Sequence, residues 1–243
     1  MNARKVFIGL CCVFVVSSAF AQDALFAKAN HDYAEGRFKE AIDSYETLVR
    51  SGQWSANLFY DLGNAYFREK DFGRAILNYE RALALDRHHP ESEANLAIAR
   101  DEARALEMQP TWLSRHLQSM SLTQFTIAAS AAFWVGVFCV TGLIFARRRS
   151  AGTIALSILS FCICAAAVFT INRMVNENRG VAIVTGKEVT ARLATADNAN
   201  SVLALPPGSE IRILSTRGDW VYAGLPNNLR GWIPAKAAEQ VRL

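Results

Sequence analysis

Two uncharged apolar runs, Phe125 to Phe145 and Ala151 to Ile171, bracket a short basic loop, Arg147-Arg148-Arg149. At about 1.5 Å of rise per residue, each 21-residue run reaches roughly 30 Å as a helix, the thickness of a bilayer's hydrocarbon core. A helix is also the one open-ended structure that satisfies its own backbone in lipid. Transmembrane helices are therefore expected over 125–145 and 151–171, with linkers at 109–124 and 172–180. Lys and Arg in short loops stay cytoplasmic, so loop 146–150 is placed in the cytoplasm and both outer ends across the membrane.

The N-terminus agrees with that orientation. Arg4 and Lys5 precede the apolar stretch Val6 to Val16, followed by Ser17, Ser18 and the small-x-small site Ala19-Phe20-Ala21. This is a signal peptide pattern over 1–21, whether cleaved or kept as a short anchor. Leu10 stands where a lipoprotein signal needs a small residue, which argues against lipid attachment at Cys11. The layout implies a multi-pass protein of a bacterial inner membrane, its two soluble segments facing the periplasm.

Charge placement excludes one class of partner. Of the 26 basic residues, residues 22–121 hold 12 against 16 acidic ones, and residues 179–243 hold 8 against 5. Neither balance makes a nucleic-acid footprint. The five cysteines lie in the signal (Cys11, Cys12) or the apolar runs (Cys139, Cys162, Cys164), so no disulfide framework is expected. Cys162 and Cys164 point in different directions on a helix and read as apolar filling.

The N-terminal segment repeats with a period of 34: Ala29 with Gly63, Asn30 with Asn64, Tyr33 with Phe67, Phe38 with Phe72, Ala41 with Ala75, Ile42 with Ile76, Tyr45 with Tyr79. Small residues at Gly63 and Ala75 let two antiparallel helices approach, while Phe59, Leu62, Tyr66, Phe72 and Tyr79 fill the seam. Phe59-x-x-Leu62-Gly63-x-x-Tyr66 followed by Ala75-x-x-x-Tyr79 resembles the tetratricopeptide repeat signature. Pro90 and Asn95-Leu96-Ala97 open a third, partial unit, and residues 91–108 are expected to cap the array with Ala94, Leu96, Ala97 and Leu106 as their apolar stripe. Two repeats plus this capping helix define an all-α domain over 22–108. Trp112 suits either an interfacial anchor or packing against the cap.

Residues 181–243 change to a strand alphabet: Val181–Val184, Glu188–Ala191, Glu210–Leu214, Trp220–Tyr222 and Gly231–Pro234. Pro206-Pro207-Gly208 and Arg217-Gly218-Asp219 supply turns, and short strands with tight turns suggest a small all-β barrel. Leu205-Pro-Pro-Gly208, Gly218-Asp-Trp220 and Gly231-Trp-Ile-Pro234 resemble a bacterial SH3 domain. Thr190 to Thr195 departs from the Asn-Val-Arg and Gly-Pro turn of many relatives.

Exported tetratricopeptide repeats, a two-span hairpin and a terminal SH3-like barrel, in that order, resemble the BatE-like membrane proteins of the Bacteroides aerotolerance operon. The resemblance implies partnership with membrane-anchored von Willebrand A-domain proteins and a MoxR-type ATPase in an envelope stress complex.

The sequence offers no nucleophile elbow, P-loop, HExxH or dinucleotide fingerprint, so an enzyme is not expected and no cofactor is implied. His88-His89-Pro90 lacks a third metal ligand nearby and reads as an exposed linker. Binding is the better expectation. By resemblance to tetratricopeptide arrays, peptide-contact positions fall on Phe26, Asn30, Tyr33, Tyr60, Asn64, Phe67 and Arg68. The asparagine amides could hold an extended peptide's main chain, or serve helix packing. Phe26 and Tyr60 stand where carboxylate-clamp relatives carry lysine. Trp220, Tyr222 and Trp232 could form an aromatic groove for peptide or peptidoglycan. Ala128, Ala132 and Gly136 recur every four residues and would let the second span approach closely.

Overall fold

A computed structural model describes residues 23–109, 122–145, 150–177 and 180–242. The signal peptide, Trp112 and the Arg147–Arg149 loop lie outside the described residues. The chain divides into two compact units, one made of the N-terminal segment to Met108 together with Val181–Leu243, the other of Gln109–Gly180.

In the first unit, five helices precede a sheet. They are α1 (residues 23–34), α2 (Phe38–Arg50), α3 (Ala56–Arg68), α4 (Phe72–Leu85) and α5 (Pro90–Ala103). Local chemistry sets the starts. The Ser55 side chain accepts the Leu58 N–H at the head of α3, Asp71 accepts the Arg74 N–H at α4, and Pro90 opens α5 behind a His89 cap. The repeat is visible in three dimensions. Phe26 meets Tyr45 with ring centroids 6.0 Å apart and Tyr60 meets Tyr79 at 6.2 Å. Tyr33 meets Phe38 at 5.4 Å and Phe67 meets Phe72 at 5.5 Å. The α1–α2 and α3–α4 turns repeat too: Gly36 and Lys70 both take left-handed φ, +79° and +60°. Gly63 is required by contact, since a Cβ there would stand 2.7 Å from the Tyr79 ring.

The α5 segment departs from expectation. Its inward face carries Ser92, Leu96 and Ala99, whereas Ala94 and Ala97 are exposed. At about 100° per residue, 92, 96 and 99 share one side and 94 and 97 fall off it. Leu106, half-buried, packs against the core of the sheet and not on the array.

Seven strands follow: β1 (Val181–Val184), β2 (Val189–Arg192), β3 (Ser201–Leu205), β4 (Glu210–Arg217), β5 (Trp220–Gly224), β6 (Arg230–Pro234) and β7 (Ala238–Gln240). They form one antiparallel sheet in the order β3-β2-β6-β5-β4-β1-β7. Val184, Val189, Ala191, Leu205, Ile211, Val221, Ala223 and Ile233 build its core. The end strands β3 and β7 do not pair, so closure into a barrel is not observed among the described strands. Strand β1 lies against α4, so the array covers this part of the sheet.

That docking joins what the sequence presents as separate segments. Ile183 and Val241 are buried in the same apolar cluster as Ile76, Leu77 and Tyr79. A Cβ on Gly73 would come within 2.9 Å of the Val184 carbonyl, and one on Gly208, at φ +83°, within 2.2 Å of Ile76 Cδ1. The Glu210 N–H donates to the Leu106 carbonyl at 2.8 Å, the Leu106 N–H to Ser209 Oγ at 3.1 Å, and Arg81 to the Gln240 carbonyl at 3.0 Å. Glu80 of α4, paired with Arg100, and Glu210 of β4 are both held above the usual carboxyl range by burial.

In the second unit, α6 (Leu122–Phe145) packs along α7 (Ala151–Glu177). Both are long and apolar enough to cross a membrane, over Thr123–Phe145 and Ala151–Asn172. Gly136 is buried against the Phe161 ring, and Ser160 donates to the Ala132 carbonyl at 2.6 Å. Ala128 does not join this face: it is exposed, and Ala129 is buried in its place. The row 129, 132, 136, buried at its ends and half-buried at Ala132, alternates steps of three and four, which follows a packed seam; an every-four row drifts away from it. Cys162 is exposed while Cys139 and Cys164 are half-buried, with no disulfide among them.

Candidate peptide-binding groove

Helices α1 and α3 supply the expected contact positions, and the structure brings four of these together. Tyr33, Asn64, Phe67 and Arg68 line a cavity of about 160 Å3 with Tyr79, Asn95 and Ile98. Phe26, Asn30 and Tyr60 lie outside that lining, on the same helix faces by their 34-residue equivalence.

The two asparagines are held identically. Tyr45 donates its hydroxyl to Asn30 Oδ1 at 2.6 Å, and Tyr79 donates to Asn64 Oδ1 at 2.8 Å. Each pair spans 15 residues and recurs at the repeat interval. Asn95 Nδ2 adds a second donor to Asn64 Oδ1 at 2.8 Å. The carbonyl ends of both amides are thus engaged within the fold, as the packing alternative requires. The same bonds fix the side chains so that each amide NH2, a donor of two hydrogens, has a set direction. Both tyrosine hydroxyls are raised far above the ordinary phenol range by burial.

Arg68 stacks over the Phe38 ring, its guanidinium carbon 4.5 Å from the centroid, which orders a long cation at the rim. His89 accepts the Ser92 N–H at Nδ1 and packs on Tyr60 with ring centroids 5.1 Å apart. Its first task is therefore structural. Among the described residues no group of three or more His, Cys, Asp or Glu could hold a metal ion.

Asn95, Tyr79 and Ile98 line the cavity without being among the expected contact positions, and Asp61 lies outside that lining. Asp61 lies one turn before Asn64, and burial pushes its carboxyl up to about 6 against the opposing effect of the His89 imidazole. The repeat gives no signal for an acid at this position, whose 34-residue equivalents are Ala27 and Asn95.

On the sheet, Tyr222 faces Trp232 across β5 and β6, ring centroids 5.0 Å apart, and Trp220 pairs with Pro234 on the same face. All are half-buried, and the alternate residues Val221, Ala223 and Ile233 point into the core.

A helix pair repeated every 34 residues, with ring and amide contacts repeating at that interval, defines a helical-repeat array. The tetratricopeptide repeat family model matches residues 56–89, the second copy. No curated protein matches the chain. Tetratricopeptide repeats suggest a scaffold for protein–protein interaction, with proteins as partners in general, and the family is typically non-enzymatic.

Proposed function

We propose that this chain is a non-enzymatic, membrane-anchored scaffold that captures an extended segment of a partner protein in the groove of α1, α3 and α5. The observation that carries the reading is the repeated tyrosine-held asparagine, Asn30 with Tyr45 and Asn64 with Tyr79, flanked by aromatic rings. Oriented amides donate to a main chain while rings take its apolar side chains. The hairpin of α6 and α7 anchors the scaffold in a bacterial inner membrane, with the array and an SH3-like β domain on the periplasmic side. A signal from a cytoplasm-active reporter fused after Leu243 overturns that topology. The domain order resembles BatE-like proteins, which makes von Willebrand A-domain membrane proteins and a MoxR-type ATPase the partners of an envelope aerotolerance complex. Partner recovery from detergent extracts with Asn30→Ala and Asn64→Ala tests the groove: loss supports it, and unchanged recovery removes it from the mechanism.

A second reading assigns peptidoglycan binding to the sheet, favoured by the adjacent outward rings of Tyr222 and Trp232. Because Ile183 and Val241 complete the array's core, the test uses the whole chain. Cosedimentation with purified sacculi that survives Trp232→Ala counts against this face.

A further inference from the structure

Asn57, Asp61, Asn64 and Arg68 fall at steps of four, three and four along α3 and make one polar stripe. Asp61 stands out on it. It is half-buried, yet among the described residues no salt bridge or hydrogen bond holds its carboxylate. Other carboxylates withdrawn from water are gripped: Asp32 by Lys28 and Arg37, Glu80 by Arg100. The repeat does not require an acid here, because the equivalent residues are Ala27 and Asn95. The cation of the stripe, Arg68, is already stacked over Phe38. On α5, Glu91 and Glu102 continue the row of Asn95 and Ile98 and are exposed. Asp61 thus lies on the α3 stripe beside the cavity, whose lining carries Arg68 as its one charged side chain, with exposed Glu91 and Glu102 along α5 and aromatic Tyr60 next to Asp61 in sequence.

We infer that the groove selects a basic segment: an extended peptide whose lysine or arginine places its cation against the Asp61 carboxylate. This rests on the groove reading and adds the sign of the partner's charge. A partly desolvated, unpaired carboxylate beside aromatic rings gains most from a cation brought by the ligand. It is the reverse of a clamp for a terminal carboxylate, for which Phe26 and Tyr60 supply no charge. The raised carboxyl pKa is what such an unpaired group shows before its partner arrives.

The test uses the full chain in detergent micelles and three fluorescein-labelled decapeptide pools, randomised except for a central Lys, Met or Glu. Anisotropy is expected to show the Lys pool binding about ten-fold more tightly than the Met pool, with the Glu pool weakest. Asp61→Asn should bring the Lys and Met pools within about two-fold of each other, and Asp61→Lys should favour the Glu pool. Equal binding of the Lys and Met pools, or a Lys preference that persists in Asp61→Asn, overturns the proposal. Asn30→Ala with Asn64→Ala separates the two levels. If that variant loses binding while the Lys and Met pools are equal, only the charge assignment fails. If it leaves binding unchanged, or if no pool binds, the groove reading falls with it.

Discussion

Replacing Asp61 by Asn should make the protein more stable at neutral pH. Burial raises this carboxyl from 3.8 to about 6 in the fold, so the folded state favours its protonated form. The sign follows directly. Stability linked to Asp61 is fully present below the unfolded value of 3.8 and is lost as pH rises through about 6. At about 1.36 kcal/mol per tenfold change in proton affinity, the penalty above that range is about 3 kcal/mol as an upper figure. Asp61 retains some contact with water, which screens the effect toward about 1.5 kcal/mol. Asparagine keeps the shape and removes the charge. For a unit of this size, about 2 to 4 °C per kcal/mol gives a rise in melting temperature of about 3 to 12 °C at pH 7.5. The assay is an intrinsic-fluorescence melt of the full chain in detergent from pH 4 to 8, with the exposed Asp43→Asn as control. The gain should shrink toward zero by pH 4. No gain at pH 7.5, or an equal gain at pH 4, refutes the reasoning. A stabilising substitution that weakens peptide binding would mark Asp61 as a residue held for function at the expense of the fold.

Lys70 occupies the left-handed turn position that Gly36 fills in the first repeat, so Lys70→Gly should be neutral or stabilising by up to about 1 kcal/mol in chemical unfolding. Gly208→Ala should destabilise the array and sheet together by about 2 to 4 kcal/mol, because its left-handed φ and its contact with buried Ile76 both resist a side chain; proteolysis should report both segments loosening at once. In the hairpin, Gly136→Leu should disturb packing against Phe161 by about 1 to 3 kcal/mol and alter mobility in SDS gels, whereas Ala128→Leu should leave it unchanged because Ala128 faces away.

The helices were legible because a repeat writes each contact twice. Phe26 with Tyr45 and Tyr60 with Tyr79 are one interaction read at two places, and a period of 34 exposes it without any structure. Docking of the sheet had no such signal. Gly73, Ile76 and Arg81 look like ordinary residues of α4, and their partners Val184, Gly208 and Gln240 lie more than 100 residues away. Two strands were also hidden. Ser201–Leu205 sits between an Asn- and Asp-containing loop and two prolines, and Ala238–Gln240 is three residues without a β-branched or aromatic side chain. The row that packs runs through Ala129 and not Ala128 because a four-residue spacing drifts along a helix that turns once every 3.6 residues. In the groove, the expected aromatic and asparagine positions came from the likeness to tetratricopeptide arrays. Asp61 did not, because its significance lies in what surrounds it.

Photo-crosslinking in intact cells tests the central claim most directly, with a benzophenone amino acid placed at Tyr33 or Ile98 in the groove, or at exposed Lys39 as reference. A discrete protein adduct from Tyr33 and Ile98, absent at Lys39 and lost when Asn30 and Asn64 are alanine, is the expected result. Adducts that form equally at all three positions, or that persist without the two asparagines, would contradict a peptide-binding groove.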